Sequence, residues 1–460
     1  MSITNVIQRD VAVSRLFQNQ GEAQNRDSKS WRVGCGQPVQ LGPTLAALFC
    51  DIQLEDGPDN TGGCRIVLFD DLDRIGHGEN IALSQNNEII GDPASGQARM
   101  AMKGGAWVWF VPEGARRADG SPHPHAGTGF GVGGILLLPV RKDLTLERSA
   151  FYNAEHRKII YQFEFGRSGF RIASERQYCL DDLPVVPTVP ITEQMLAVRA
   201  RDVFRWRLSG PGLGAGVADG DGMLMPAMAV SARPGATGEK SSSIAAGVMR
   251  WEVSTDGVWQ PVSFTPIAIS VGEGGELGWE QTWMEPCLVR TPDGALLFSA
   301  RPLFGANEHS IRLWRSMDGL AWQVVFDALE VRAESPVSIN TALDGSPYFA
   351  FNPWSPDYAT KAYTHGRRLL EIRPMRPDLH DWDEGLLVRS APDSEYSKWF
   401  FDHPRSANIR LKDGKWRHVL TYRSFFCGEP AELDKTSLRY GVYLDVVESN
   451  GLEFGTWKFL

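Results

Sequence analysis

The chain consists of short apolar runs, each broken after a few residues by a turn signal. From Trp31 onward, runs such as LAALFCDIQL, CRIVLF and KIIYQFEF alternate with polar segments such as DGPDNTGG and DDLDRIGHG. Apolar runs of this length, bounded by Gly, Pro, Asn and Asp, are typical of strands joined by hairpins. About two dozen strands are expected along the chain, and long helices are scarce. The sequence therefore predicts an all-β fold.

The length and composition favour one β-propeller over several smaller domains. The 460 residues contain 15 Trp, 47 Gly and 28 Pro, spread along the whole chain. Propellers of this size often form one unit, and about two dozen strands would fill six four-stranded blades. We therefore expect a single propeller domain over residues 31–460. Residues 1–30 are polar and aperiodic, and form either a lead-in or a strand that closes the ring late.

Charge and sequence signals exclude several classes of partner. The formal net charge is −9, and Lys and Arg occur singly, so a nucleic-acid partner is not expected. The N-terminus lacks a secretory pattern and no run is long enough to span a membrane, so no membrane partner is expected and the cytoplasm is the predicted location.

No cofactor or metal is predicted. The six cysteines lie far apart without CxxC spacing, which favours free thiols. His123 and His125 lack a neighbouring carboxylate or thiol, so they are a weak pattern for a metal site and more readily contact substrate from a loop.

A short turn motif occurs twice. Residues 254–259 (STDGVW) and 316–322 (SMDGLAW) share the frame S-x-D-G followed by Trp. In such a turn Asp accepts backbone N–H bonds, Gly takes positive φ, Ser braces the turn and Trp packs on the blade. These turns resemble the Asp-boxes, or BNR repeats, of the sialidase (neuraminidase) superfamily.

The sequence before and between the two turns resembles the same superfamily more closely. GPGLGAG at residues 210–216, followed by the strand that ends at Pro226, is similar to one sialidase blade. The segment from Trp283 to Arg301 is similar to the family hairpin in which Glu begins one strand and Arg ends the next, and Arg312 keeps the family order. The likeness covers residues 205–325 and implies a six-bladed propeller of sialidase type.

This resemblance implies roles for particular residues. Glu285 would act as a base on a tyrosine nucleophile, and three arginines would hold the substrate carboxylate. Arg301 is one of them, with Arg32 and either Arg367 or Arg368 as the others, of which Arg368 is preferred. A planar guanidinium suits a carboxylate because it binds both oxygens and stays charged. The turn at residues 292–294 places Glu285 and Arg301 near one end of a hairpin.

The general acid is expected in the segment after LAALFCD. Asp51, Asp56 and Asp59 are the candidates, and Asp59 is preferred because DGPDNTGG could move over a sugar. Capping of a turn is an equally good explanation of these residues.

The sequence departs from the sialidase pattern where the nucleophile belongs. Residues 399–416 (WFFDHPRSANIRLKDGKW) contain no tyrosine. Tyr422 or a tyrosine of the pair Tyr440 and Tyr443 would have to enter from a neighbouring strand, or the chemistry has changed.

A polar cluster lies in this same segment. Asp402, His403, Arg405 and Asn408 can exchange protons or bind oxyanions, and His is the side chain that titrates nearest neutrality. We expect His403 to act as a general acid or base with Asp402 orienting it, unless the cluster merely joins two loops.

Together these features predict an exo-type glycoside hydrolase that acts on an acidic sugar or oligosaccharide. One alternative is a propeller polysaccharide lyase, in which His403, Arg405 and Tyr422 would remove a proton beside a uronate carboxylate. The other is a carbohydrate-binding propeller without chemistry. An unsaturated product would identify the lyase, and retained sugar affinity without turnover would identify the binding protein.

Overall fold

The structure is a computed structural model, and it describes most of the strand-forming parts of the chain. The described residues are 6–9, 31–54, 61–72, 80–83, 88–139, 155–179, 185–187, 206–231, 243–271, 282–303, 310–332, 336–353, 369–375, 385–390, 399–426 and 440–448.

Six antiparallel sheets form the blades of the molecule, and the first strand, β1 (Val6–Arg9), belongs to the last of them. Blade 1 consists of β2 (Trp31–Gln40), β3 (Ala46–Leu54), β4 (Thr61–Phe69) and β5 (Asn80–Ala82). Blade 2 consists of β6 (Glu88–Ile90), β7 (Arg99–Val111), β8 (Thr128–Pro139), β9 (Glu155–Gly166) and β10 (Gly169–Cys179). Blade 3 consists of β11 (Val185–Val186), β12 (Trp206–Pro211), β13 (Val217–Asp219), β14 (Gly222–Ser231), β15 (Ser243–Val253) and β16 (Trp259–Val271).

The second half of the chain repeats this pattern and closes the ring. Blade 4 consists of β17 (Thr282–Arg290), β18 (Leu296–Leu303), β19 (Ser310–Ser316) and β20 (Gln323–Arg332). Blade 5 consists of β21 (Ser338–Thr341), β22 (Pro347–Phe351), β23 (Leu369–Pro374) and β24 (Leu386–Ser390). Blade 6 consists of β25 (Trp399–Arg410), β26 (Trp416–Phe426), β27 (Tyr440–Glu448) and the N-terminal β1.

The hydrophobic cores lie between neighbouring blades. Each strand presents alternate side chains to its two faces, so a blade can pack on both neighbours. Between blades 2 and 3, Phe130 stacks on Trp251 with ring centroids 4.1 Å apart, and both residues are fully buried. Between blades 6 and 1, Ile409 and Val419 pack against Leu48. The last blade therefore packs on the first, and the ring is closed.

The first long strand of most blades carries a β-bulge. A bulge breaks the register with the next strand and re-aims the side chains at that point. The register shifts in five of the six first strands, between Val33 and Gly36, Gly104 and Trp107, Leu208 and Gly210, Met284 and Cys287, and Asp402 and Arg405.

The predicted all-β, six-bladed propeller is confirmed. The boundary drawn at residue 31 needs a correction, because Val6–Arg9 pairs with residues 444–447 of β27 and completes blade 6. This part of residues 1–30 is the strand that closes the ring, the second of the two alternatives given for this segment. Within the described residues, no helix has the length and apolar character needed to cross a bilayer.

Candidate functional site

Glu285 and Arg301 meet at the start of blade 4. The turn between β17 and β18 closes with the Thr291 N–H donating to the Ala295 carbonyl at 2.8 Å, and Met284 pairs with Arg301 in the register. Nη1 of Arg301 lies 3.1 Å from Oε2 of Glu285. The hairpin thus brings together the two residues that the sequence placed near one end of it.

His403 reaches the same carboxylate from blade 6. Its Nε2 lies 3.5 Å from Oε1 of Glu285, although 118 residues separate the two in the chain. Both residues lie in bulges and are followed by proline, and both have positive φ, 49° for Glu285 and 51° for His403. Two neighbouring backbone distortions therefore aim these side chains at each other.

Asp402 supports His403 from behind. Oδ1 of Asp402 lies 2.9 Å from Nδ1 of His403, although the angles at these two atoms are not those of a hydrogen bond. Arg423 on β26 binds both oxygens of Asp402, with Nε to Oδ1 and Nη2 to Oδ2 both at 2.6 Å. Because a buried carboxylate needs a partner, this two-pronged contact explains how Asp402 remains fully buried.

The charges around Glu285 favour its ionised form. Burial by itself raises the pKa of Glu285, but the charge of Arg301 and the hydrogen bond and charge of His403 outweigh it, and the pKa falls to about 2. Glu285 is therefore a carboxylate at neutral pH. It can act as a base or a charge partner, and it has no proton to donate.

Only part of this cluster is open to solvent. The side chains of Glu285, His403 and Arg301 are 23%, 15% and 10% exposed, whereas Asp402 and Arg423 are 0% and 2% exposed. A ligand can touch the first three groups, while the Asp402–Arg423 pair acts only through His403.

Two further arginines predicted for the site, Arg405 and Arg312, have described side chains. Arg405 follows the bulge in β25 and is half-buried, and no carboxylate of the described residues lies within ion-pair distance of it. Arg312 on β19 stacks on Trp283 and Trp314, with Cζ 5.3 and 5.7 Å from the ring centroids. The guanidinium of Arg312 is therefore held against aromatic rings.

The structure does not bring Tyr422 to Glu285. Tyr422 is fully buried and packs edge-on against Phe401, with ring centroids 6.4 Å apart. It alternates with Arg423 along β26, so its side chain points to the other face of the blade. Tyr440 and Tyr443 lie on β27, where only the backbone is described.

The side chains of five further predicted residues are not described. Arg32 lies at the start of β2, paired with Gln53, and its backbone alone is described. Asp59 and Arg368 fall outside the described residues, as do Asp56 and Arg367.

Sequence reasoning missed Arg423. Its signal was a charge inside the apolar strand Val419–Phe426, because a charge on a buried strand requires a partner. Its partner, Asp402, was predicted only as the residue that orients His403.

The two repeated turns differ in the structure. At Ser316 the carboxylate of Asp318 accepts the N–H groups of Leu320 and Ala321 at 2.8 and 2.9 Å, and Gly319 has φ of 74°. At Ser254 the hydroxyl accepts the Val258 N–H at 3.2 Å, and Asp256 is exposed. The turn at Ser316 is thus braced by its aspartate, and the turn at Ser254 is braced by its serine hydroxyl.

His123 and His125 lie in the loop after β7. Nε2 of His123 is 4.0 Å from Oδ1 of Asp221, which also binds Arg117, and the ring of His125 packs on Trp259. In the part of the chain that the structure describes, no three His, Cys, Asp or Glu side chains are placed to hold a metal ion.

The chain is distantly similar in structure to several known proteins. No protein-family model matches the sequence, and no curated protein matches it. Among solved structures, the chain is similar to Trypanosoma rangeli sialidase, with 12% identity, 92% of this chain covered and a TM-score of 0.48. The chain spans 55% of the length of that sialidase.

Two further similar structures cover most of both chains. A protein of unknown function from Dyadobacter fermentans shares 12% identity over 91% of this chain and 95% of its own, with a TM-score of 0.49. Penicillium chrysogenum α-L-arabinanase, in complex with arabinobiose, shares 11% identity over 91% and 93%, with a TM-score of 0.40. All three TM-scores lie below 0.5, so any function must be argued from the residues of this chain.

Proposed function

We propose that this protein is a glycoside hydrolase that removes an acidic sugar from the end of a glycan. The observation that supports this most is the carboxylate of Glu285, which lies between Arg301 and His403 in a partly exposed cluster. An ionised carboxylate beside a histidine is suited to proton transfer, and a neighbouring guanidinium is suited to an acidic sugar.

Glu285 serves as the base in this proposal. Its described ionic and hydrogen-bonding partners are Arg301 and His403 and include no tyrosine. A carboxylate without a tyrosine nucleophile activates water, so a single displacement with inversion at the anomeric carbon is expected. Asp59 donates the proton to the leaving group, and Arg301, Arg32 and Arg368 hold the sugar carboxylate.

One distance favours a second candidate, the polysaccharide lyase. An inverting hydrolase needs its acid and base on opposite sides of the scissile bond, about 6.5–9.5 Å apart. Glu285 and His403 are only 3.5 Å apart, so they act as one proton-transfer unit. A β-elimination beside a uronate carboxylate can use one such unit as base and then as acid. The hydrolase therefore requires a separate donor, for which Asp59 is the candidate.

The products distinguish the two reactions. Wild-type protein is incubated with acidic aryl-glycosides and with uronate oligosaccharides, and both reducing sugar and unsaturated product are followed. The hydrolase predicts reducing sugar of inverted configuration, which the Asp59→Asn variant releases far more slowly. Unsaturated product that persists in Asp59→Asn protein identifies the lyase. Sugar binding without either product would leave a carbohydrate-binding propeller.

A further inference from the structure

Strand β12 of blade 3 leaves its sheet beside Glu285. The pairing of β12 with β14 ends at Pro211 and Ala227, and the pairing of β13 begins at Val217 and Leu224. The segment Gly212–Gly216 therefore stands opposite only two residues of β14. Such an excess of residues must project from the sheet, and here it projects towards blade 4.

This segment binds the backbone of the Glu285 bulge. The N–H of Leu213 donates to the carbonyl of Pro286 at 2.8 Å, and the N–H of Gly212 donates to the carbonyl of Pro226 at 2.7 Å. Pro286 lies where the register between β17 and β18 is broken, and its ring nitrogen carries no hydrogen. The carbonyl of the Pro286–Cys287 peptide, one residue after Glu285, is thus held by blade 3.

The contact leaves no room for a side chain at residue 212. A Cβ atom on Gly212 would lie 1.9 Å from the carbonyl oxygen of Pro286 and 2.9 Å from that of Pro226. Gly212 does not have positive φ, so the demand for glycine comes from space and not from backbone conformation. An alanine at this position must push the Pro286 carbonyl, and with it Glu285, out of place.

The segment is fixed on its other side as well. The indole N–H of Trp107, a fully buried residue of blade 2, donates to the carbonyl of Gly214 at 2.5 Å. A Cβ on Gly214 would lie 3.3 Å from Cβ of Cys287, the residue that follows the bulge. The segment is therefore held between blade 2 and the Glu285 bulge and cannot follow the bulge if it moves.

We propose that Gly212–Gly214 is a positioning element that holds Glu285 in its positive-φ conformation, with its carboxylate against Arg301 and His403. Its consequence for turnover rests on the proposed function, but its effect on Glu285 does not. Gly212 and Leu213 act through the Pro286 peptide and touch no substrate.

The ionisation of Glu285 tests this directly. Protein carrying ¹³C-labelled Glu carboxyl groups is titrated by NMR, and the Glu285 resonance is assigned by its loss in Glu285→Gln. In Gly212→Ala, the Glu285 carboxylate loses its contacts with Arg301 and His403. The midpoint of its titration therefore rises by about 1 pH unit or more. Gly210→Ala is the matched control, because a Cβ there meets only the flexible end of Met228, at 3.3 Å. Folded Gly212→Ala protein with an unchanged Glu285 midpoint would overturn the proposal.

A second variant covers the case in which Gly212→Ala does not fold. Replacing the Leu213 amide by an ester removes the N–H that bonds Pro286 and adds no atom near it. The Glu285 midpoint is expected to rise in this protein, and an unchanged midpoint contradicts the proposal. Turnover is measured in parallel, and a fall in kcat of about 100-fold is expected for Gly212→Ala. If the wild type turns over no substrate, the proposed function fails while the titration still decides the positioning role.

Discussion

Glu285 and His403 are the two non-glycine residues with positive φ among the described residues, and their side chains lie 3.5 Å apart. Each precedes a proline, which further restricts its backbone. Left-handed backbone at a residue with Cβ costs free energy and persists only where the surroundings enforce it. Two strained backbone positions from different blades therefore meet at one carboxylate.

The strain predicts which substitutions residue 403 tolerates. Asparagine accepts left-handed backbone and a β-branched residue does not, so His403→Val should unfold about 1–2 kcal/mol more readily than His403→Asn. Urea denaturation measures the difference. Arg410→Val and Arg410→Asn serve as controls, because Arg410 is an exposed strand residue. At this position the Val variant should be at least as stable as the Asn variant. Equal stability of the two residue-403 variants would mean that the backbone at His403 is not strained.

The buried ion pair of Asp402 and Arg423 should contribute far more to the free energy of unfolding than an exposed ion pair of the same geometry. Arg423→Leu leaves the fully buried Asp402 without its guanidinium and should cost about 3–5 kcal/mol of unfolding free energy. Arg117 binds Asp221 with the same two-pronged geometry, but both side chains are more than 40% exposed. Arg117→Leu should therefore cost much less in the same denaturation experiment. Similar losses in the two variants would refute this difference.

Stability should fall in mild acid because of a second histidine, His418. It is fully buried, with Nδ1 2.7 Å from Oδ1 of Asn408 and Nε2 bonded to the Tyr348 hydroxyl, and burial lowers its pKa to about 3. The unfolded chain takes up a proton near pH 6.5 that the folded chain refuses, so stability is lost as pH falls below that value. From about pH 7 to about pH 5, wild type should lose about 2 kcal/mol more than His418→Gln. Parallel losses in both proteins would show that His418 is protonated in the folded state.

Cys287 should resist alkylation while the protein is folded. Burial raises the pKa of its thiol to about 12, and the sulfur accepts the Ile339 N–H at 3.2 Å. Since the thiolate is the reactive form, iodoacetamide should modify the half-buried Cys179 much faster than Cys287. Mass spectrometry after short exposure gives both rates, and unfolded protein provides the control in which the rates converge. Rapid modification of Cys287 in folded protein would contradict the packing of blade 4 on blade 5.

Local pattern predicted the fold and one pair of the site. Apolar runs and turns indicated the strands. The turn at residues 292–294 placed Glu285 and Arg301 together because a hairpin is a local structure. The Asp402–His403 pair was noticed for its chemistry, but its distance from Glu285 depends on how blades 4, 5 and 6 pack.

The remaining features of the site are long-range and leave little trace in the sequence. Gly212 resembles any turn glycine until the Pro286 carbonyl is seen beside it. Arg423 is a charge inside strand β26 whose partner, Asp402, is identified only in the structure. Tyr422 was a candidate because the sequence does not show which face of the blade it occupies. The roles of Gly212, Arg423 and Tyr422 depend on strand register and on how neighbouring blades pack, and residue type alone does not reveal them.

The most direct test of the account is the turnover of an acidic aryl-glycoside by wild type, Glu285→Gln and Glu113→Gln. Glu113 is exposed in the loop after β7 and serves as the matched control for loss of a carboxylate. The account predicts that wild type and Glu113→Gln release the aglycone at equal rates and that Glu285→Gln is slower by about 100-fold or more. Release by Glu285→Gln at the wild-type rate would contradict it.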